Sequence, residues 1–215
     1  MNELFAALPT LLHAFVTTLE LTFLSALASL VVGLVAAVMR VSPVPPLRWV
    51  ASIYIRFVRN TPLTIVFFII VFGLPQVGIQ FSFFFFALSA LTLYTATFVA
   101  ETLRAGIQAI PIGQIEAARA TGLTFVQILA YVVLPQALRS VVPPLASIFI
   151  ALFKNSSIAS AFGVAEAIGT MTNMVNVHST IVLWVMGATA IIYIAFALIF
   201  GRAFAWLEQK ALIVR

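Results

Sequence analysis

The chain has 215 residues, 63% of them hydrophobic and only 8% charged, with a formal charge of +5 and no cysteine. A soluble domain carries about a quarter charged residues, so 8% cannot build a water-facing surface and most of the exterior must face lipid. Without cysteine, disulfides, thiolate nucleophiles, cysteine-ligated zinc and iron–sulfur clusters are excluded.

In chain order, residues 1–19 place Leu4, Leu8, Leu11, Leu12 and Phe15 at helical spacing, which predicts a short amphipathic helix lying in the interface ahead of the first span. No Lys or Arg precedes Arg40, so a secretory signal with a basic n-region is not expected. Crossing the hydrocarbon core takes about 20 residues of helix at about 1.5 Å each. Leu21–Met39, Pro62–Ile79, Phe81–Ala100 and Ile181–Phe200 are such runs. Tyr131–Phe153 is a fifth, interrupted by Pro135, Arg139, Pro143 and Pro144. Five spans fit the chain; four would leave that broken segment outside the membrane. The runs are continuous rather than alternating, which disfavours an outer-membrane barrel. The predicted fold is all-α and polytopic, a single transmembrane domain over residues 1–215, with no internal repeat and no low-complexity linker.

Pro43, Pro45 and Pro46 mark a tight turn after the first span, and Gly73, Pro75 and Gly78 loosen the end of the second. Arg40, Arg48, Arg56 and Arg59 bracket the loop after span one, Arg104 and Arg119 lie after span three, and Arg139 stands near the start of span four. Arg202, Lys210 and Arg215 follow span five, and Lys154 alone falls on the opposite side. The positive-inside rule then places the N-terminus outside and the C-terminus in the cytoplasm, which five crossings satisfy. Trp49, Tyr54 and Trp206 fall at the inner interface and Trp184 near the outer one, as an aromatic belt requires. The basic balance is thus a topology signal rather than a nucleic-acid one.

Residues 105–130 form the one long cytoplasmic loop, and they read as two short helices. Gly113 and Gln114 open the first, which runs through Glu116, Ala117, Ala118, Arg119 and Ala120 to Gly122, placed as a left-handed stop. Thr124 with Gln127 three residues on is a capping-box pattern for the second, and Leu134-Pro135 marks the beginning of span four. Periodicity alone fits an ordinary helix-turn-helix connector as well as a docking element.

Glu116-Ala117-Ala118, then Gly122, then Val133-Leu134-Pro135 resembles the signature loop of permease subunits in bacterial ABC importers, with Val132 where the family usually has Ile. Arg59-Asn60-Thr61-Pro62-Leu63 resembles the Arg-Gly-Thr-Pro-Leu motif of the polar amino-acid branch, with Asn60 departing from the usual Gly. Tyr94 to Glu101, Arg104 to Ile107 and Lys154 to Ser160 resemble further motifs of that branch, and Arg40 to Val44 with Asn60-Thr61 is similar to actinobacterial glutamate-uptake permeases. The likeness runs from about residue 10 to the C-terminus. It implies a type I importer permease fold of five transmembrane helices with a cytoplasmic coupling helix, seated in a cleft of an ATPase subunit. It also implies an ATPase dimer, a second permease subunit, related or identical, and an extracytoplasmic amino-acid-binding protein, all in the bacterial plasma membrane. The expected coupling residues are Glu116, Ala117, Ala118, Arg119, Gly122, Leu134 and Pro135.

A carboxylate in the first turn of a helix favours the macrodipole by about 0.3–1 kcal/mol, which explains an acid at 116 but not the spaced Ala-Ala and Gly. Ala117 and Ala118 are small enough for close approach to a partner. Glu101 and Arg104, three apart, are placed to pair at the inner membrane edge, and Arg56 and Arg59 to anchor span two in the headgroups. Lys154 lies about 15 residues beyond Arg139, roughly 22 Å along a helix; it is either an outer anchor or, with Asn155, Ser157 and Glu166, part of a polar substrate path. Thr61, Thr95 and Thr97 are further path candidates. His13 and His178 are isolated, and no metal site is expected. No Gly-x4-Gly-Lys-Ser/Thr motif and no nucleophile–base–acid grouping occur, so the chain is not expected to be an enzyme, and ATP–Mg belongs to the partner. An ion-coupled secondary transporter would carry intramembrane acids and repeated halves, and a non-transporting scaffold would need none of the loop spacing. The resemblance implies an importer for glutamate or a related polar amino acid, worked by alternating access, with the ion-coupled transporter and the scaffold as the alternatives.

Overall fold

A computed structural model describes residues 2–177 and 180–212; His178 and Arg215 lie outside the described residues. Helix α1 (Asn2–Val41) is one unbroken helix of 40 residues, about 60 Å long at 1.5 Å per residue. The separate interfacial helix expected over residues 1–19 is corrected accordingly. Its apolar stripe is a packing face: Leu11 and Phe15 are buried against Ala167, with Met171, Ile192, Tyr193 and Phe196 around them.

Pro45 and Pro46 stand at the first positions of α2 (Pro45–Arg59), where a missing N–H costs nothing. The segment expected as an arginine-bearing loop is therefore a helix, seated through Ala51 and Ile55. The chain then bends by 110° into α3 (Leu63–Gln76), so the second crossing is a broken one. Helix α4 (Phe83–Gln108) starts on the Ser82 hydroxyl, which accepts from the Phe85 N–H at 3.3 Å. Short α5 (Ile112–Ala120) follows, and then α6 (Phe125–Phe162), α7 (Ala167–Val177) and α8 (Val182–Leu212). Helices α1, α4, α6 and α8 are each long and apolar enough to cross a membrane, and the bent α2–α3 pair brings the number to five when it is counted as one span. No strand occurs among the described residues.

The second short helix of the 105–130 loop is not separate. It is the first turn of α6, which continues through Pro143 and Pro144 to a tighter final stretch, Ser156–Phe162, stopped at left-handed Gly163. Two widened π turns explain how prolines fit: Ile69–Gly73 precedes Leu74-Pro75-Gln76, and Leu129–Val133 precedes Leu134-Pro135-Gln136. A proline has no N–H and its ring crowds the carbonyl four residues back; one wide turn relieves both. In α6 the Gln136 amide donates to the Val132 carbonyl at 2.8 Å, supplying a bond to the disturbed turn.

The bundle is organised on α1 against α4. Ser25, Ser29, Gly33 and Ala37 recur every four residues on α1, a small-residue seam of the kind that lets membrane helices approach closely. A Cβ at Gly33 would stand 2.7 Å from Val99 Cβ and 3.0 Å from the Ala96 carbonyl. The seam ends one helical turn below Ala37, at Arg40.

Candidate coupling surface and transport path

Helix α5 is held by a small core of its own. Ile110, Ala118, Ile128 and Val133 are buried together, with Ile115, Leu123 and Val132 around them. This core fixes α5 to the beginning of α6. Gly122 takes φ +83°, and its N–H donates to the Arg119 carbonyl at 2.9 Å while Leu123 N–H returns to Ala118 at 3.3 Å, a left-handed helix stop. The Thr124–Gln127 capping box is formed in both directions. Glu116, Ala117 and Arg119 point to solvent, whereas Ala118 faces the internal core. The small size of Ala118 therefore serves that core, and of the alanine pair only Ala117 is free for a partner. Beside them Ile112, Phe125 and Val126 are each at least 70% exposed, and Leu134 is exposed with Pro135 on the neighbouring turn. The result is a rigid, partly apolar knob with one carboxylate and one guanidinium.

At the end of α4 nearest this knob, Glu101 pairs with Arg104 as the spacing predicts: Arg104 Nε donates to Oε1 at 3.0 Å. Arg40, for which the sequence suggested no partner, bonds the other carboxylate oxygen and so clamps α1 to α4. The Arg59 guanidinium lies over the Phe98 ring, 5.2 Å from its centroid.

Thr95 and Asn155, two of the predicted path residues, line one cavity of about 200 Å³ between α4 and α6, together with Tyr94, Phe98, Ile148 and Leu152. The other candidates stand outside it. Thr61 is at the 110° bend, its hydroxyl donating to the Phe57 carbonyl at 2.8 Å. Thr97 is buried and bonds the Tyr94 carbonyl at 2.7 Å. Lys154 is exposed, and the Ser157 hydroxyl donates to its carbonyl at 2.7 Å. Glu166 is fully enclosed in the connection between α6 and α7. Its carboxylate accepts from Thr18 at 3.2 Å, Tyr193 at 3.1 Å and the Gly169 N–H at 2.9 Å. Burial pushes this carboxyl up, against hydrogen bonds from Gly169, Ile168, Tyr193 and Thr18 that favour the charged form. Glu166 thus ties α1, α7 and α8 together. Its partners Thr18 and Tyr193 carry no local sequence signal, since they lie 148 and 27 residues away. No cluster of His, Cys, Asp or Glu suited to a metal occurs among the described residues.

Four membrane-length helices, five with the bent α2–α3 pair, and an exposed short helix at one end make this a multi-pass membrane protein. Residues 29–213 match the binding-protein-dependent transport system inner membrane components, and the chain belongs to that family. It is 41% identical to the glutamate transport system permease protein GluC of Corynebacterium efficiens, over 98% of both chains. It is 36% identical to the probable glutamine ABC transporter permease protein GlnM of Bacillus subtilis, over 93% of this chain and 92% of that one. A crystal structure of an amino acid ABC transporter with histidines superposes with a TM-score of 0.91 at 33% identity, covering 97% of each chain. The methionine ABC transporter MetNI in an inward-facing form gives 0.76 at 25% identity, over 97% of this chain and 98% of that one. The chain is thus an amino-acid ABC permease subunit, all-α, multi-pass and of the type I importer fold.

Proposed function

We propose that this chain forms half of an import path for glutamate or a closely related amino acid, driven by two partner ATPases. The exposed α5 knob carries the reading: a helix with its own core, fixed to α6, can transmit a displacement without deforming. ATPase closure moves α5, the crossings swing from inward-open to outward-open, and an external binding protein delivers the cargo. Each partner acts only through its differential affinity for the two states. The second half of the path is another permease subunit. The N-terminus is outside and the C-terminus and α5 are cytoplasmic, in keeping with the arginines gathered at that end. Glutamate is favoured by the likeness to a glutamate permease over nearly the whole chain. Glu116, Ala117, Arg119, Gly122 and the exposed Leu134-Pro135 turn meet the ATPase, with Ala118 supporting them from beneath; Thr95 and Asn155 face the cargo. Purifying the tagged chain from native membranes in mild detergent tests this. A P-loop ATPase should come with it, and should be lost when Glu116 and Ala117 are replaced by Lys and Trp. Recovery of the chain alone at good yield would refute the reading.

A further inference from the structure

Helices α1 and α4 and the end of α2 border a second, open cavity of about 320 Å³, lined by Arg40, Ile55, Arg56, Arg59, Asn60 and Glu101. Three guanidiniums and one amide thus face a space holding one carboxylate. That carboxylate is already shared by Arg40 and Arg104. Among the described residues Arg56 and Arg59 have no ion pair. Three guanidiniums around one carboxylate leave a local excess of positive charge.

This cavity neighbours the one lined by Thr95 and Asn155, with the Arg59–Phe98 contact between them. Tyr94, Phe98 and Glu101 stand on one face of α4, at successive helical turns. Phe98 lines the Thr95/Asn155 cavity and carries Arg59 over its ring. Asn60 and Thr61 sit at the α2–α3 bend that follows Arg59. One step along α4 therefore leads from the first cavity to the second, toward the end that bears α5.

Building on the proposed import function, we infer that Arg56, Arg59 and Asn60 form a carboxylate-binding station on the α5 side of the Thr95/Asn155 cavity, and that it favours an acidic amino acid as cargo. Guanidiniums bind carboxylates through charge-assisted hydrogen bonds, and the Asn60 amide adds a neutral donor. The one carboxylate here is already paired with Arg40 and Arg104, so a cargo ammonium meets a net excess of guanidiniums. A zwitterion with an uncharged side chain brings one carboxylate and one ammonium, whereas an acidic amino acid brings a second carboxylate. Cationic cargo meets only repulsion.

The test uses the transporter purified with its co-purifying subunits, without nucleotide or binding protein, and measures equilibrium binding of labelled L-glutamate and L-glutamine beside ATP-driven uptake in proteoliposomes. Glutamate should bind at least tenfold more tightly than glutamine, and less so at high salt. Each of Arg56→Gln and Arg59→Gln should weaken glutamate about tenfold, the lower end for a hydrogen bond to a charged group. Arg48→Gln, on the same helix but outside the cavity, should match the parent, and unchanged subunit recovery shows that the variants fold. Equal binding of the two amino acids, or a preference that survives R56Q/R59Q, overturns the station. So does a preparation that transports but binds neither probe in this state. Absence of ATP-driven uptake of any amino acid would instead remove the import reading itself.

Discussion

Replacing Gly33 by Ala probes the α1–α4 seam most directly. The added carbon would stand 2.7 Å from both Val99 Cβ and Cγ1 and 3.0 Å from a backbone carbonyl. Carbon atoms pack at about 3.5–4.0 Å, so the shortfall is roughly 1 Å. Rotating Val99 cannot relieve it, because its Cβ is fixed to the backbone; the two helices must part. Overpacking of this kind costs about 1–3 kcal/mol, and an atom anchored to the backbone belongs at the upper end. Gly to Ala in a helix interior returns about 1 kcal/mol. The net expectation is a loss of about 2 kcal/mol. Gly187 in α8 supplies the control, since a Cβ there meets nothing within 4 Å; Gly187→Ala should be neutral or gain up to about 1 kcal/mol. Reversible unfolding in mixed micelles, followed by circular dichroism against the fraction of denaturing detergent, reads both. The same chemical change should thus differ by about 2–3 kcal/mol between the two sites. Agreement within about 0.5 kcal/mol, the scatter of indifferent substitutions, would refute the idea that close approach at Gly33 holds α1 to α4.

Gly122→Val forces a β-branched residue into the left-handed region at a strain of about 1–2 kcal/mol. ATP hydrolysis in the purified complex should persist while uptake falls at least tenfold, and unaltered uptake would count against α5 as the coupling element. Glu166→Leu strips the acceptor from Thr18, Tyr193 and the Gly169 N–H. Stability should drop by about 2–4 kcal/mol, within the cost of a few orphaned polar groups, and adding Tyr193→Phe should recover part of it; strictly additive losses would deny that the three groups form one network. Asn155→Ala should raise the substrate concentration for half-maximal uptake with little change in the melting midpoint, and the reverse pattern would make Asn155 a packing residue.

Much of this architecture was legible because its signals are local. Apolar runs mark the crossings through bilayer thickness alone, Gly122 marks a stop, and Thr124 with Gln127 marks a start. Glu101 and Arg104 share a helix face and so announce their pairing. The rest depends on contacts far apart in the chain. Nothing near Arg40 points to Glu101, 61 residues on. The stripe at Leu11 and Phe15 has the same periodicity whether it meets headgroups or α7 and α8, so only tertiary packing could decide between them. Glu166 looked like a path residue because an acid in an apolar segment is costly, but a ring of hydrogen-bond donors answers that cost as well as a water-filled path does. Arginines at 48, 56 and 59 suggested a loop, yet Pro45 and Pro46 are helix starters, and the bend falls later at Asn60.

Under the proposed coupling role, the π turn at Leu129–Val133 would act as a flexure in a lever. Val133, its last residue, is also part of the core that seats α5. A load applied to the knob therefore enters α6 at the one stretch where the regular ladder is already widened. Regular helix resists bending because each turn must give up hydrogen bonds worth about 1 kcal/mol apiece. Here that resistance has been reduced in advance by Pro135, while the Gln136 amide keeps the joint from opening fully. Such a joint carries thrust along the helix and yields sideways. The membrane portion of α6 can change tilt while α5 stays square to whatever grips it.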